Sequence, residues 1–295
     1  MKLKKQLSYQ LMLLPGMLFL LVFSFIPVFG IVLAFQNYYP AQGIMKSQWV
    51  GLRNFKFLIT LPECRQILLN TIYIAFGKML LGILVPVCFS LLLNEIGLKF
   101  FKKYVQTIVY LPHFLSWAIL ATVVQGILAF DGPINQILGV FHAEPVLFMA
   151  SNTWFRPIMI LSETWKEFGY GSIIYLAALT GIDPGLYEAA SIDGANRWKR
   201  LLHITIPGII PTIILVTTMN LPNILNAGFD QIFNMYNPLV YKTGDIIDTY
   251  VYRIGMLQRQ YSLSTAVGLI KSVVGMILII LANKLAGKLA HRKIF

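Results

Sequence analysis

Long apolar runs alternate with short polar segments along almost the whole chain. About 20 consecutive apolar residues suffice for a helix to cross a bilayer, and six runs reach that length. The predicted spans cover about residues 11–35, 67–94, 105–130, 157–182, 207–227 and 262–285. The pattern therefore predicts an all-α, polytopic membrane protein with six transmembrane helices. A single transmembrane domain would occupy residues 11–288, with tails at 1–10 and 289–295.

The composition supports this interpretation. Hydrophobic residues make up 57% of the 295 positions and charged residues 12%, whereas a soluble domain carries about 25% charged residues. The net charge of +12 is typical of nucleic-acid-binding proteins too, but here the basic residues form short clusters between apolar runs. In membrane proteins such clusters set orientation. We therefore expect a membrane partner and no nucleic acid.

The first apolar run and the cysteines narrow the class further. The run at 11–35 is too long for a signal peptide, and no small-x-small cleavage site closes it, so we expect an uncleaved span. Cys64 and Cys88 lie in different contexts without metal-ligand spacing. This excludes a disulfide framework and argues against a structural metal site.

Basic residues predict that both termini are cytoplasmic. Thirteen Lys and Arg residues fall in the segments that this orientation places inside, against eight outside, and the inner segments are shorter. The inner set is Lys2, Lys4, Lys5, Lys99, Lys102, Lys103, Arg197, Lys199, Arg200, Lys284, Lys288, Arg292 and Lys293, and the outer set is Lys46, Arg53, Lys56, Arg65, Arg156, Lys242, Arg253 and Arg259.

A polar segment at 183–206 separates the fourth and fifth predicted spans. Asp183 and Pro184 are typical of a helix start, and a short helix is predicted to follow. Asp193-Gly194 indicates a turn. Asn196 is predicted to cap a second helical piece that ends near Pro207. On composition alone, an ordinary helix-turn-helix loop of a membrane protein remains an equal alternative.

The spacing within this segment resembles the EAA signature of binding-protein-dependent ABC importer permeases. The matching positions are Glu188, Ala189, Ala190, Gly194, Ile204, Ile206 in place of the usual Leu, and Pro207. The resemblance implies a cytoplasmic coupling helix that docks in a groove of an ATPase subunit. The residues expected to couple to the ATPase are Glu188, Ala189, Ala190, Asp193 and Gly194.

Shorter motifs elsewhere resemble the LplB-like branch of the MalF/MalG-type carbohydrate permeases. They are Tyr110-Leu-Pro-His-Phe-Leu-Ser-Trp117, Gly132-Pro-Ile-Asn135, Ile174-Tyr-Leu-Ala-Ala178, Gly228-Phe-Asp-Gln-Ile232 and Asp248-Thr-Tyr-Val-Tyr-Arg253. Val50-Gly-Leu-x-Asn-Phe55 resembles the segment that precedes the second span in the maltose-type permease family. The resemblance implies import of oligosaccharides released from polysaccharides, across the bacterial plasma membrane. The implied partners are a second homologous permease, two ABC ATPase subunits and an extracellular sugar-binding protein.

No residues are predicted for catalysis, cofactor binding or metal binding. The chain has no Walker A pattern, so ATP and Mg are expected to bind the partner ATPase subunits rather than this chain. It also lacks Gly-x-Ser-x-Gly and His-Glu-x-x-His, and its histidines are scattered. We therefore predict that the chain is not an enzyme. A secondary transporter, or a permease for another class of solute, remains an alternative.

Polar and aromatic residues within the predicted spans mark a candidate substrate pathway. Sugar sites combine aromatic faces with a few polar groups, and buried charges in a membrane face the interior and pair. The candidates are Lys78, Glu163, Trp165, Lys166, Tyr170, Asn220, Asn223 and Lys271. Glu163 and Lys166 are spaced to meet on one helix face. A structural ion-pair network and a cavity that attracts acidic sugars are both compatible with this pattern.

Overall fold

The computed structural model of the chain describes residues 2–220 and 225–289, with the side chains of 9–220 and 225–280, and helix dominates it. In chain order the α-helices of the described residues are α1 (Lys2–Leu20), α2 (Ile26–Val28), α3 (Gly43–Lys46), α4 (Arg53–Thr60), α5 (Pro62–Glu95), α6 (Lys99–Tyr110), α7 (Trp117–Ile127), α8 (Pro133–Val140), α9 (Phe155–Thr180), α10 (Pro184–Ile192), α11 (Arg197–Arg200), α12 (Ile206–Asn220), α13 (Phe229–Met235), α14 (Tyr241–Gly244), α15 (Ile247–Tyr252) and α16 (Tyr261–Leu289).

Shorter turns of other helix types extend several of these elements. Among the described residues, π-helical turns lie at Leu21–Phe25, Leu201–Thr205 and Arg253–Leu257, and 3-10 turns at Phe29–Phe35, Leu111–Phe114, Phe148–Ala150 and Pro238–Val240. The all-α prediction did not include a small antiparallel pair of strands, β1 (Gln36–Asn37) and β2 (Gln48–Trp49).

The chain forms two compact units. The first comprises the chain up to residue 65 together with 250–272. In it, helical structure runs from Lys2 to Phe35, and the strand pair and α4 follow. Asn54, on α4, donates to the carbonyls of Ala34 (2.8 Å) and Gln36 (3.1 Å). These bonds fix α4 against the end of the first helical run.

The second unit comprises residues 66–249 and the chain from 273. Its core is apolar, with Ile74 on α5, Phe155 and Met159 on α9, and Ile232 and Met235 on α13 all at most 1% exposed. Burial of such side chains contributes about 1.5–3 kcal/mol each. The core therefore holds α13 against the two long helices that carry most of the intramembrane charges.

Four helical segments of the described residues are long and apolar enough to cross a membrane, or five if one bent pair forms a single span. The four cover Tyr9–Phe35, Pro62–Glu95, Arg197–Asn220 and Tyr261–Ile280. Helix α9 coincides with the fourth predicted span, but it carries Arg156, Glu163, Lys166 and Glu167. Helix α9 falls within the range of lengths of these four segments, but its charged residues leave no long, nearly uncharged stretch such as each of the four contains.

The third predicted span, 105–130, is wrong as a single helix. Helices α6 and α7 meet at an angle of 108°. Pro112 lacks an N–H donor and lies in the 3-10 turn that ends α6. Ser116 then adopts an extended conformation and accepts a hydrogen bond from the Ile119 N–H (3.4 Å), which starts α7 in a new direction. The length of an apolar run gives no indication of such a break within it.

The predicted helix end near Pro207 is also wrong. Helical structure continues from Arg197 to Asn220. The π-helical turn before Pro207 makes this possible, because the Ile206 N–H donates to the Leu201 carbonyl one residue further back than in an α-helix. The second helical piece of the polar segment and the fifth span are thus one continuous helix.

Candidate functional site

Both helical pieces of the polar segment begin with a side-chain cap. The Asp183 carboxylate accepts a hydrogen bond from the Gly185 N–H (2.9 Å), which starts α10. The Asn196 side chain accepts from the Lys199 N–H (2.9 Å), which starts α11. Such caps satisfy N–H groups that the first helical turn leaves without partners. The sequence predicted both caps, and the structure confirms them.

Gly194 ends α10 and reverses the chain. Its φ is 76°, a left-handed conformation that favours glycine. The Ala195 N–H donates to the Ala190 carbonyl (2.8 Å) and the Gly194 N–H to the Ser191 carbonyl (3.1 Å). This pair of bonds is the Schellman pattern of a helix C-terminus. The predicted turn at Gly194 is therefore confirmed.

Two side-chain bonds join α10 to the start of the next long helix. The Tyr187 hydroxyl lies 3.0 Å from the Thr205 hydroxyl, and the Arg200 guanidinium donates to the Ser191 hydroxyl (2.9 Å). Thr205 and Arg200, which bind these side chains of α10, lie in the helical structure that continues to Asn220. A displacement of α10 would therefore act directly on the fifth predicted span.

The outer surface of α10 and its turn is open. Glu188, Ala189, Asp193 and Gly194 are exposed, and Ala190 is half-buried. Large apolar side chains lie exposed beside them, namely Leu186 (52%), Ile192 (88%) and Trp198 (70%). A contiguous set of exposed apolar side chains typically marks an interaction site. The residues predicted to couple to an ATPase thus lie on an accessible, apolar surface.

A groove of about 440 Å³ lies between helices of the second unit. Its walls come from α5, α9, α12 and Asn226. Of the predicted pathway residues, Lys78, Glu163, Tyr170 and Asn220 line it. The structure therefore brings half of the predicted set to one concave surface.

The other four predicted pathway residues lie elsewhere. Trp165 is 42% exposed on α9, and Lys166 is 8% exposed; neither lines the groove. Lys271 is half-buried on α16, in the part of that helix that belongs to the first unit. Asn223 lies outside the described residues.

Lys78 is held by three acceptors. Its ammonium group donates to the Glu163 carboxylate (3.4 Å), to the Ala227 carbonyl (2.6 Å) and to the Gln231 side-chain oxygen. The Lys78 side chain is only 10% exposed. An ammonium group has three N–H donors, so all of its hydrogen-bonding capacity is committed to protein. Lys78 therefore joins α5, α9 and the start of α13.

Gln231 and Gly228 complete this arrangement. The Gln231 amide donates to the Met159 carbonyl (2.8 Å) and to the Ser162 hydroxyl (2.8 Å). Gly228 has a φ of 91°, and a Cβ atom there would lie 2.7 Å from the Lys78 nitrogen. The chain therefore needs glycine at 228 for both its backbone conformation and the approach of the lysine.

A second polar cluster surrounds Glu167. Its carboxylate lies 2.7 Å from His113 Nδ1 and accepts a hydrogen bond from Lys166 (2.7 Å). Lys166 also donates to the His113 carbonyl (3.0 Å). The His113 ring stacks on Tyr170, with centroids 3.9 Å apart. The cluster fixes the 3-10 turn between α6 and α7 to α9.

The two clusters correct the predicted pairing of Glu163 with Lys166. Glu163 pairs with Lys78, and Lys166 pairs with Glu167. Sequence spacing identified a possible pair within one helix, but α5 supplies the partner of Glu163, and Lys166 pairs with the adjacent residue of α9. Ionisable groups of the membrane-spanning region thus pair both across elements and within α9.

Some residues at the groove were absent from the predicted pathway. Glu167 lines it beside Tyr170, and its charge within an apolar run was an available signal. Tyr175 also lines it, is 1% exposed, and has a hydroxyl without a hydrogen-bond partner among the described residues. Gln231 was visible only as part of a motif, because its role depends on Lys78, far away in sequence.

Comparison with known proteins decides the family. Residues 78–291 match the family described as "Binding-protein-dependent transport system inner membrane component". The chain belongs to this family. This permease is 42% identical over 295 residues to the polygalacturonan/rhamnogalacturonan transport system permease YteP of Bacillus subtilis, covering all of this chain and 92% of that protein. It is 41% identical over 294 residues to LplB of the same organism, with 99% and 92% coverage.

Solved structures agree with these relationships. The permease matches a chain of a bacterial ABC transporter that imports the acidic polysaccharide alginate, with a TM-score of 0.90, 37% identity and 98% coverage of both chains. A structure of a bacterial alginate ABC transporter with a periplasmic protein bound to alginate pentasaccharide matches with a TM-score of 0.90 and 36% identity, covering 99% of this chain and 98% of that one. The expected fold, an all-α polytopic membrane permease, is confirmed.

Proposed function

We propose that this permease is one transmembrane subunit of an ATP-driven importer that moves oligosaccharides derived from polysaccharides. Its partners would be a second homologous permease, two ABC ATPase subunits and an extracellular sugar-binding protein. The named substrates of the relatives support this class, since YteP is named for polygalacturonan and rhamnogalacturonan, and a relative in the same bacterium for galactooligosaccharides.

The exposed, capped helix α10 carries the proposal. It presents Glu188 beside exposed Leu186 and Ile192, and it is joined by hydrogen bonds to the helix that leads to Asn220 at the groove. A surface that both fits a partner and moves a groove-lining helix is what coupling to an ATPase requires. ATP and Mg would bind the partner ATPase subunits, which hydrolyse ATP, and this chain itself would need no cofactor.

The proposed orientation places both termini and α10 in the cytoplasm. The excess of Lys and Arg in the inner segments supports it. In this orientation, closure of the ATPases around ATP would displace α10 and the attached fifth span. The groove would then open outward and accept the oligosaccharide from the sugar-binding protein.

The groove suits a carbohydrate. It combines the ring of Tyr170, the amide of Asn220 and the carboxylate of Glu163, and neutral hydroxyl groups of sugars can donate to carboxylates and exchange hydrogen bonds with amides. Its volume of about 440 Å³ lies within the range of about 300–1,000 Å³ for small-molecule sites. The groove therefore accommodates a few sugar units at a time.

Co-purification and transport test the proposal together. Affinity-tagged permease isolated from its native membrane should bring down an ABC ATPase and a second permease. Proteoliposomes containing the complex and the binding protein should take up labelled oligosaccharides with ATP and not with a non-hydrolysable analogue. Uptake driven by an ion gradient, with no ATPase in the purified complex, would instead identify a secondary transporter.

A further inference from the structure

A second groove, of about 720 Å³, lies entirely within the first unit. Its lining comes from residues 37–57, after the first span, and from residues 259–263, before α16. The Tyr38 N–H donates to the Ser262 hydroxyl (2.9 Å), and the Tyr38 and Tyr261 rings meet edge to face with centroids 6.0 Å apart. These contacts hold the two segments of the groove together.

Two guanidinium groups line this groove without partners. The Arg53 and Arg259 side chains are exposed, and among the described residues neither guanidinium group makes a hydrogen bond or an ion pair. Arginine presents a planar set of donors that matches a carboxylate in a bidentate manner. The groove thus offers two such donors to a ligand with carboxylate groups.

Aromatic side chains and an amide complete the lining. Tyr38, Tyr39 and Tyr261 contribute rings and hydroxyl groups, and Asn37 contributes an amide. Ring faces, hydroxyl groups and amides are the groups with which proteins contact sugar rings and their hydroxyls. The concave shape and these side chains suit an oligosaccharide.

Arg259 also has a backbone conformation that is unusual for its residue type. Its φ is 57°, in the left-handed region. Non-glycine residues in this region are strained, and they occur preferentially at binding and active sites. A glycine or asparagine would fit this position with less strain, so the strain at Arg259 is compatible with a binding role.

The segments that form the groove carry mainly basic side chains. Residues 36–65 and 250–265 contain six basic side chains and a single acidic one, Glu63. The basic residues are Lys46, Arg53, Lys56, Arg65, Arg253 and Arg259. A concentration of one charge raises the local concentration of ligands with the opposite charge. This part of the chain would therefore attract an anion before it reaches the groove.

We infer that this groove is a binding subsite for acidic oligosaccharides, in which Arg53 and Arg259 bind carboxylate groups of uronate-type sugar units. The inference rests on the proposed function and adds a substrate class to it. In the proposed orientation the groove lies on the outer side, where the oligosaccharide arrives. A relative named for polygalacturonan and a structural neighbour named for acidic alginate are compatible with this ligand class.

Direct binding tests the subsite. The assembled complex, in nanodiscs of uncharged phosphatidylcholine, is titrated against fluorescently labelled pentagalacturonate and against a neutral galacto-oligosaccharide of equal length. Arg53→Gln with Arg259→Gln should weaken pentagalacturonate binding at least about tenfold and leave binding of the neutral sugar within about twofold. Lys103→Gln is the matched control, because it removes an exposed charge from α6, in the second unit and outside the groove lining. This control variant should leave the binding of both sugars unchanged.

Arg259→Gly separates binding from folding. It relieves the left-handed backbone strain, so it should keep or raise the thermal stability of the complex while it weakens pentagalacturonate binding. Equal loss of both sugars, or unchanged binding of both, would overturn the subsite. So would a variant that loses association with the sugar-binding protein while pentagalacturonate binding is intact. ATP-dependent uptake by the wild-type complex is measured in parallel, so that failure of the proposed function is recognised separately.

Discussion

At the scale of single residues, Lys78 shows how a cation is accommodated among apolar helices. Its three donors reach acceptors on three elements, and one acceptor, Gln231, is itself held by Met159 and Ser162. An intramembrane ionisable residue is costly unless it is paired. The geometry therefore favours the ion-pair network over a lysine that is free to bind acidic substrates.

The first prediction follows from this network. Lys78→Gln leaves the Glu163 carboxylate without its cation and should lower the stability of the complex by about 3 kcal/mol. Uptake of neutral and acidic oligosaccharides should fall in parallel, measured after correction for complex yield. Lys103→Gln removes an exposed lysine and serves as the control. Selective loss of acidic uptake with normal stability would show that Lys78 binds substrate.

Gly228 gives a second prediction at this scale. Gly228→Ala places a Cβ atom close to the Lys78 nitrogen. It also puts a non-glycine residue in a left-handed backbone conformation, which alone should lower the free energy of unfolding by about 1–2 kcal/mol. The melting temperature should drop. Gly268→Ala is the control, because position 268 lies in helix α16 with open space around it. Alanine favours the helix over glycine, so this variant should raise the free energy of unfolding by about 0.5–1 kcal/mol. Equal melting temperatures for the two variants would contradict the assignment.

At the scale of elements, α10 is short, yet both of its ends are fixed by local bonds. The Asp183 cap and the Schellman pattern at Gly194 define its length. Tyr187 and Ser191 then connect it to the following helix. A nine-residue helix in isolation is marginal, so these connections are what allow it to transmit a displacement.

The third prediction tests this role. Gly194→Val together with Glu188→Ala should leave membrane insertion and stability of the permease largely intact, while association with the ATPase and ATP-dependent uptake fall at least about tenfold. Valine is strained at a φ of 76°, which alters the end of α10. Gly139→Val, in α8 with open space around it, is the control. Wild-type uptake and association in the double variant would exclude coupling through this segment.

At the scale of the whole molecule, the orientation in the membrane remains a prediction that chemistry can test. Single cysteines are introduced at exposed positions after Cys64 and Cys88 are replaced. Leu98 and Asn196 should react only after the membrane is permeabilised, whereas Met45, Val140 and Leu239 should react with an impermeant maleimide in intact cells. Labelling of Asn196→Cys from outside would rule out ATPase contact there.

The sequence could predict those parts of the fold and site that depend on local interactions. Apolar run length located the long helices α5, α9 and α16, because crossing a bilayer requires a minimum length. Asp183, Gly194 and Asn196 could be assigned as caps and turn, because each acts on atoms a few residues away. Four of the residues predicted for a substrate pathway lie at one groove, as expected for polar residues within apolar helices, which face away from lipid.

The tertiary structure alone decided what depends on distant contacts. The 108° bend at Ser116, the continuation of the helix through Pro207 and the partners of Lys78 each depend on how elements pack, and run length and spacing contain no such information. Arg53 and Arg259 are about 200 positions apart, and only the folded first unit brings them to one groove. Residues near in sequence meet through backbone geometry, whereas distant residues meet only where burial and hydrogen bonding have selected one packing among many.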